Sequence, residues 1–366
     1  MRPIDENNTM QDISELGFDA FFESQMNDWP RPSLIPARVA SEHRDRYEVW
    51  TEQEAYEARL AGKLRGRLGE IELPRAGDWL ALDAIPEPGQ TAVVEWVFRR
   101  KTVLTRGAAG QEAHGQVLAA NVDVVFVVCG LDADYSPNRI ERYVARIWAS
   151  GAQPIVVLNK KDTCPDTDSR LAEIETRCPG VTVLATSAVL AEGLESLRQW
   201  IGRGQTGAFV GSSGAGKSTL INALAGEERM ATQEVRAVDS RGRHTTTRRQ
   251  LIRLPGGGLL LDTPGLRELQ LPDDEGLRNV FADIQALASG CRYRDCLHGD
   301  EPGCAVKAAV TEGTLPAERY EHYRKLEREA RAYQLRHDVY LRHKAARVWK
   351  SLDKEGKEIR RRKEGR

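Results

Sequence analysis

At the middle of this chain lies the sequence Gly211-Ser212-Ser213-Gly214-Ala215-Gly216-Lys217-Ser218-Thr219. An apolar run at 208–210 precedes it, and the mostly apolar segment Leu220-Ile221-Asn222-Ala223-Leu224 follows it. The pattern G-x-x-x-x-G-K-S between a strand and a helix is typical of a phosphate-binding loop, because its glycines let backbone N–H groups turn inward around a polyphosphate. Lys217 would reach the β- and γ-phosphates, and the Ser218 hydroxyl would bind Mg²⁺. A glycine-rich turn with an incidental lysine is the alternative, but the flanking strand and helix favour a nucleotide-binding α/β domain.

A second motif, Asn159-Lys160-Lys161-Asp162, follows the apolar run 154–158. Ligands bind at the carboxyl ends of strands in open α/β sheets, and this tetrapeptide occupies such a position. A carboxylate at Asp162 can accept hydrogen bonds from N1–H and the 2-amino group of guanine, a pair that adenine does not offer. We expect Lys160 to lie over the base and Asn159 to tie this loop to the phosphate loop. Alone the tetrapeptide fits a surface turn equally well, but beside a phosphate loop it predicts guanine binding.

Three further stretches suit the same site. Ser187-Ala188 follows a β-rich segment and would offer a backbone N–H to the guanine oxygen. Downstream of the phosphate loop, Thr245, Thr246 and Thr247 lie in a stretch without hydrophobic periodicity, and we expect Thr246 to complete the Mg²⁺ shell. Asp262-Thr263-Pro264-Gly265 comes directly after the apolar strand 258–261, so Asp262 would hold Mg²⁺ through water and the Gly265 N–H would meet the γ-phosphate.

Length and composition favour a cytoplasmic protein of two or three domains. The chain has 366 residues, which exceeds the usual size of one hydrophobic core. It has no apolar run of membrane-spanning length, and its first residues lack the apolar core of a signal peptide, so we expect no membrane partner. The net charge is −1, but residues 316–366 hold 17 Lys and Arg against 9 Asp and Glu, a local excess of +8. Such an excess suits contact with RNA phosphates, although a solvated helix face is the plainer explanation.

The two ends of the chain differ from its centre. Residues 1–34 lack sustained periodicity, and we expect a flexible arm. Short β-type segments between residues 37 and 104 predict a small barrel of the OB type, a fold that often binds RNA. Around the turn at 61–62, a solvated hairpin and a phosphate-binding edge are equally good explanations for four basic residues: Arg59, Lys63, Arg65 and Arg67.

Near the other end, a cluster of four soft ligands lies within fourteen residues: Cys291, Cys296, His298 and Cys304. Three thiolates and an imidazole suit one structural, tetrahedral Zn²⁺ site, which would fold this part of the chain rather than perform chemistry. Cys129, Cys164 and Cys178 stand apart, and we expect ordinary thiols there.

Taken in chain order, these motifs resemble a known family. Ordinary GTPases carry the phosphate loop first and N-K-x-D near the end, whereas here N-K-K-D and S-A precede the phosphate loop, T-T-T and D-T-P-G. With a leading barrel and a trailing Cys/His cluster, the chain resembles the ribosome small subunit-dependent GTPase A family (RsgA, also called YjeQ), which are circularly permuted GTPases. The resemblance covers about residues 37–347.

The resemblance implies a multidomain α/β architecture and a partner. We expect a flexible arm at 1–34, an OB-fold domain at 35–108, a permuted GTPase domain at 109–284, a helical zinc-binding domain at 285–349 and a basic tail at 350–366. The family implies a protein that binds GTP and GDP, acts on the small ribosomal subunit and its rRNA, and couples hydrolysis to late subunit maturation. We expect it to be a monomer.

Catalysis is expected from a few residues. Leu266 stands where Ras-like enzymes carry a water-orienting glutamine, which predicts slow intrinsic turnover that the small ribosomal subunit stimulates. We expect His244 to replace that glutamine, although a surface histidine without a catalytic part is the alternative, and Lys217, Thr246 and Gly265 to act at the γ-phosphate. A different class of protein is an RNA-binding OB and zinc module that uses guanine nucleotide only as a structural or regulatory ligand. An ATP-dependent enzyme is disfavoured by Asp162.

Overall fold

The computed structural model describes residues 12–43, 45–106, 116–226, 249–262, 275–299 and 301–337. These residues form two units, one ending at residue 262 and one beginning at residue 275, and each is described by itself. Two segments with predicted site residues lie outside the described residues, the stretch with His244 to Thr247 and the stretch with Thr263 to Leu266, and so does the expected basic tail at 350–366. Within the described ranges, none of the helices has the length and apolar content needed to cross a bilayer.

A five-stranded closed barrel opens the first unit, as the short β-type segments predicted. Its strands are β1 (Ile35–His43), β2 (Arg46–Trp50), β3 (Ala55–Leu60), β4 (Trp79–Leu82) and β5 (Ala92–Val97). Their order is β1-β2-β3-β5-β4, and β4 pairs back to β1, which closes the sheet. Alternate residues point inward and pack together, including Val39, Val49, Leu80 and Val94. Helix α1 (Ala20–Glu23) precedes the barrel and α2 (Gly62–Arg65) follows β3.

The described part of the N-terminal segment, residues 12–34, is packed rather than a free arm. Two 3₁₀ turns and α1 carry Leu16, Phe18, Phe22 and Trp29 onto Trp79 and Phe98 of the barrel, and all six side chains are buried. The fully buried Arg38 adds a polar tie, because its guanidinium donates to the backbone oxygens of Leu16, Gly77 and Asn121. The expectation of a flexible arm therefore does not hold for these residues. Burial of their aromatic side chains stabilises these residues in one conformation, although their sequence has no regular hydrophobic period.

An α/β sheet follows the barrel in the same unit. Its strands are β8 (Val124–Gly130), β9 (Gln153–Asn159), β10 (Thr182–Ala185), β11 (Thr206–Gly211), β12 (Gln250–Arg253) and β13 (Leu259–Asp262). The sheet order is β10-β9-β8-β11-β13-β12, with all neighbours parallel except β12 and β13. A two-stranded ribbon of β6 (Val103–Arg106) and β7 (Gln116–Ala120) lies between barrel and sheet in the sequence.

Helices pack onto this sheet through apolar faces. They are α3 (Pro137–Ala149), α4 (Thr167–Arg177), α5 (Leu194–Arg198) and α6 (Lys217–Ala225). Leu197 of α5 and Leu220 of α6 share one core with Phe126 and Phe209, whose rings stack 4.9 Å apart. Because the parallel strands are buried on both faces, they read in the sequence as continuous apolar runs. Because these strands are parallel, their carboxyl ends lie at one edge of the sheet, which is where the predicted motifs lie.

The second unit is helical around the Cys/His cluster. Its helices are α7 (Glu275–Val280), α8 (Ala282–Ala288), α9 (Ala305–Thr311) and α10 (Ala317–His337). The sequence predicts the start of this domain at residue 285, but α7 and most of α8 also belong to the unit. Phe281, between them, contacts His322 and Tyr323 of α10, and Asp283 pairs with Arg319 at 2.6 Å. The expected boundary was late because these packing contacts join residues far apart in sequence.

Candidate nucleotide and metal sites

The glycine-rich stretch forms a tight loop between β11 and α6. The φ values of Gly211, Gly214 and Gly216 are +138°, +83° and +97°, which residues other than glycine rarely adopt. At Gly216 the space is also taken, because a Cβ there would meet Nδ2 of Asn159 at 2.1 Å. Helix α6 begins at Lys217, so Ser218 and Thr219 lie in its first turn, where free backbone N–H groups favour an anion.

Lys217 turns back into this loop. Its Nζ donates to the backbone oxygen of Gly211 at 2.9 Å and to that of Ser212. Ala215, within the loop, is fully buried. The ammonium group is thus held within reach of any phosphate that the loop surrounds, which is the arrangement that a phosphate-binding lysine needs.

Asn159 joins three loops at the end of β9. Its side chain is buried, and Nδ2 donates to the backbone oxygen of Ala215 at 2.9 Å. Its Oδ1 accepts from the hydroxyl of Thr186 and from the backbone N–H of Ala188, both at 3.1 Å. The phosphate loop, the N-K-K-D tetrapeptide and the Ser187-Ala188 turn therefore meet at one amide side chain.

The rest of the tetrapeptide faces outward beside this junction. Lys160 takes a left-handed conformation, with φ +67°, and its Nζ pairs with Asp132 at 2.6 Å. The backbone N–H of Lys161 donates to Thr186, while its side chain pairs with Glu192 at 2.7 Å. Asp162 is exposed in a 3₁₀ turn. An exposed carboxylate next to a rigid junction is available to a planar base.

Sequence reasoning missed two acidic residues at this edge. Asp132 holds Lys160, and Asp134 accepts a hydrogen bond from the Ser212 hydroxyl of the phosphate loop and pairs with Arg139 at 2.7 Å. Both lie just after β8, a buried strand whose carboxyl end is next to β9 and β11. That position is the signal that would have found them, because polar residues at the ends of parallel strands line ligand sites.

Asp262 ends β13 at the same edge of the sheet. Only 7% of it is exposed, and burial raises its pKa from an ordinary 3.8 to about 6. Ser218 lies in the first turn of α6, and hydroxyl and carboxylate oxygens are the ligands that Mg²⁺ prefers. Predicted partners His244, Thr246 and Gly265 lie outside the described residues, so the structure brings together only part of the predicted γ-phosphate end.

The Cys/His cluster forms a compact donor set in the second unit. Its four ligand atoms, from Cys291, Cys296, His298 and Cys304, lie within 4.8 Å of one another. Nδ1 of His298 is 3.6 Å from Sγ of Cys291 and of Cys304, and those two sulfurs are 4.0 Å apart. Tetrahedral bonds to Zn²⁺ would separate two sulfurs by about 3.8 Å and a sulfur from a nitrogen by about 3.6 Å. The residues therefore fit one structural zinc ion.

Comparison with known proteins agrees with this geometry. The family model described as RsgA GTPase matches residues 97–272. A second model, described as ABC transporter, matches residues 194–353, a range that includes the phosphate loop but not Asn159 to Asp162.

Similar proteins extend the match over most of the chain. Two are called small ribosomal subunit biogenesis GTPase RsgA. The one from Syntrophotalea carbinolica is 41% identical over 95% of this chain and 98% of its own length, and the one from Xanthomonas axonopodis pv. citri is 46% identical over 81% of each. The crystal structure of YjeQ from Thermotoga maritima matches with a TM-score of 0.61 at 28% identity, covering 81% of this chain and 98% of that one. YloQ, described as a circularly permuted GTPase, matches with a TM-score of 0.57 at 25% identity, covering 82% and 96%. Because a relative called small ribosomal subunit biogenesis GTPase RsgA is 41% identical over 95% of this chain, the chain belongs to the RsgA GTPase family.

Proposed function

We propose that the protein is a GTP hydrolase that binds the small ribosomal subunit and couples hydrolysis to late maturation of that subunit. The observation that carries the nucleotide part is the Asn159 junction, because it fixes the guanine-reading tetrapeptide against the phosphate loop. The partner is proposed from the names of the similar proteins, which are called small ribosomal subunit biogenesis GTPases.

In this proposal each end of the site has its own residues. The Asp162 carboxylate binds N1–H and the 2-amino group of guanine, and Lys160 covers the base. The Ser187-Ala188 turn borders the base oxygen, while the Ala188 N–H itself donates to Asn159 Oδ1. Backbone N–H groups of residues 211–219 surround the phosphates, and Lys217 neutralises charge that develops on them. Mg²⁺ held by Ser218, Thr246 and Asp262 would supply further positive charge at the β- and γ-phosphates.

Turnover is proposed to be slow until the small ribosomal subunit binds. His244 then orients the attacking water, and Thr246 and the Gly265 N–H sense the γ-phosphate. His244→Ala should remove subunit-stimulated hydrolysis while GTP affinity stays within about twofold, since the ring touches water rather than the nucleotide. Single-turnover hydrolysis with isolated subunits, beside a titration with a fluorescent GTP analogue, measures both quantities. Retained stimulation would remove His244 from the mechanism.

Base recognition is tested at Asp162. Asp162→Asn replaces the acceptor for the 2-amino group with an amide, which suits the 2-oxo group of xanthine. We expect the affinity for GDP to fall at least tenfold while that for XDP rises, measured by competition against a fluorescent nucleotide. Asp166→Asn, in the next turn, is the matched control and should leave both affinities unchanged. Unchanged affinities for GDP and XDP in Asp162→Asn would contradict base recognition by Asp162 and revive the ATP-type alternative, which that residue disfavours.

A further inference from the structure

The barrel and the nucleotide sheet share a continuous row of paired residues. Ser41 of barrel strand β1 pairs with Gln250 of β12, and Gln250 pairs in turn with Asp262 of β13. Neighbouring strands lie about 4.8 Å apart, so the barrel backbone is about 10 Å from that of Asp262. The strand that forms the wall of the barrel is therefore two strands from the proposed Mg²⁺ carboxylate.

An ion-pair cluster fixes the start of β12 to the barrel. Oε1 of Glu42, next to Ser41, lies 2.9 Å from Nη1 of Arg249, and Oε2 lies 2.9 Å from Nη1 of Arg75. Arg249 also donates to the backbone oxygen of Val117 at 3.2 Å. The three charged side chains are 13–19% exposed, so water screens their attraction far less than at an open surface.

A second contact fixes the other end of β12. The guanidinium of Arg253 lies 4.5 Å from the ring centre of Trp50, on barrel strand β2. Strand β12 is thus held to the barrel just before its first residue, through Arg249 of the Glu42 cluster, and at its last residue, Arg253. A β-bulge in β1, between Val39 and Ser41, bends the strand where it leaves the barrel for β12.

The contacts between β12 and the barrel bear on the proposed phosphate end of the site, because of where β12 and β13 lie in the chain. Strands β12 and β13 form one antiparallel hairpin, and Asp262 is its last residue. In the sequence, Thr246 lies three residues before Arg249 and Gly265 three residues after Asp262. Both residues assigned to sensing the γ-phosphate are therefore attached to the ends of a hairpin that the barrel holds.

We propose that the β12–β13 hairpin couples the barrel to the phosphate end of the site. Glu42 is the positioning residue, because it fixes the start of the hairpin to the barrel. This inference rests on the proposed function, because the bound partner is the small ribosomal subunit. Coupling between two sites is reciprocal: if the subunit favours the GTP-bound arrangement, the GTP-bound protein binds the subunit more tightly by the same factor.

The test compares two affinities of the full-length, zinc-loaded protein for isolated small ribosomal subunits. One is measured with a nonhydrolysable GTP analogue and the other with GDP, by sedimentation. We expect the wild-type ratio to be about fivefold or more, and Glu42→Gln to bring it close to one, while GDP affinity and subunit-free hydrolysis stay within about twofold. Glu57→Gln is the matched control, because Glu57 pairs with Arg46 on the exposed side of the barrel, and it should keep the wild-type ratio.

Arg253→Gln keeps the test decisive if Glu42→Gln fails to fold, because it removes the other anchor and should also lower the ratio. If every one of these two variants that folds keeps the wild-type ratio of subunit affinities, the inference is overturned and the proposed function is left intact. A ratio close to one in the wild type itself would overturn the inference together with nucleotide-dependent subunit binding. A lowered ratio in Glu57→Gln as well would also overturn it, since any loss of barrel charge would then suffice.

Discussion

At Asp262, the buried carboxylate proposed to bind Mg²⁺ also lowers the stability of the folded protein. Burial raises its pKa to about 6, so its charged form is disfavoured in the folded protein. The stability that comes from this raised pKa is fully present below about pH 3.8 and is lost as the pH rises through about 6. At neutral pH the nucleotide-free protein therefore carries a buried carboxylate that weakens the fold.

Asp262→Asn should reverse that loss. We expect the free energy of unfolding of the nucleotide-free protein to rise by about 2–3 kcal/mol at pH 8 and to change little at pH 4. GTP hydrolysis should fall sharply, because the amide is a poor Mg²⁺ ligand. Urea unfolding at the two pH values measures the first effect. An equal change at both would show that the charge is not its source.

Gly216 tests the geometry of the phosphate loop. A Cβ there would meet the Asn159 amide at 2.1 Å, and φ is +97°. Gly216→Ala should lower the affinity for GTP and GDP by about tenfold or more, about 1.4 kcal/mol, because it displaces the residue that joins three loops. Gly89→Ala is the control: its φ is +84°, with nothing within 4 Å of the added carbon. Equal nucleotide titrations for the two variants would contradict the Asn159 junction.

At the scale of elements, the N-terminal segment behaves as part of the barrel. Phe22 is 2% exposed against Trp79 and Phe98, whereas its neighbour Phe21 is 37% exposed. Phe22→Ala should lower the free energy of unfolding by about 3–5 kcal/mol, since it leaves a cavity in the aromatic cluster. Phe21→Ala should cost less than about 1 kcal/mol. Denaturant unfolding followed by tryptophan fluorescence compares them, and equal losses would contradict the packing of residues 12–34.

The sequence predicted the local elements better than the long-range ones. Alternating polar and apolar residues indicate the barrel strands, and an apolar run indicates the buried strand that ends at Gly211. Both patterns depend only on neighbouring residues. Residues 12–34 were missed because short 3₁₀ turns have no sustained period, although their aromatic residues are buried. The Ser41–Gln250 pair was missed for another reason. It joins residues far apart in the chain, and one residue pair leaves no pattern to read.

The same distinction holds within the site. The tight turn at 211–219 and its link to Asn159 could be predicted from the sequence because such motifs keep fixed spacings. The roles of Asp132 and Asp134 depend on which strands lie side by side, and sequence order alone does not give that order. The domain boundary at residue 285 was likewise late, because Phe281 packs against a helix that begins some 36 residues downstream, at Ala317.

At the scale of the whole molecule, the two units should respond separately to loss of the metal. Cys304→Ser removes one zinc ligand and should reduce bound zinc and the helix content of the second unit, because such sites supply folding free energy. GDP affinity should stay within about twofold, since every described nucleotide-site residue lies in the first unit. Zinc analysis, circular dichroism and nucleotide titration measure these effects, with Cys164→Ser as the control thiol. Full helix content without zinc would contradict a structural metal site.

One measurement reaches the central assignment most directly: steady-state hydrolysis of GTP and of ATP by the zinc-loaded protein, with and without isolated small ribosomal subunits. A GTPase of the proposed kind should hydrolyse GTP slowly alone, much faster with subunits, and ATP hardly at all in either case. Hydrolysis of GTP that subunits do not change, or equal stimulation with ATP, would contradict it and favour an RNA-binding module for which guanine nucleotide is only a ligand.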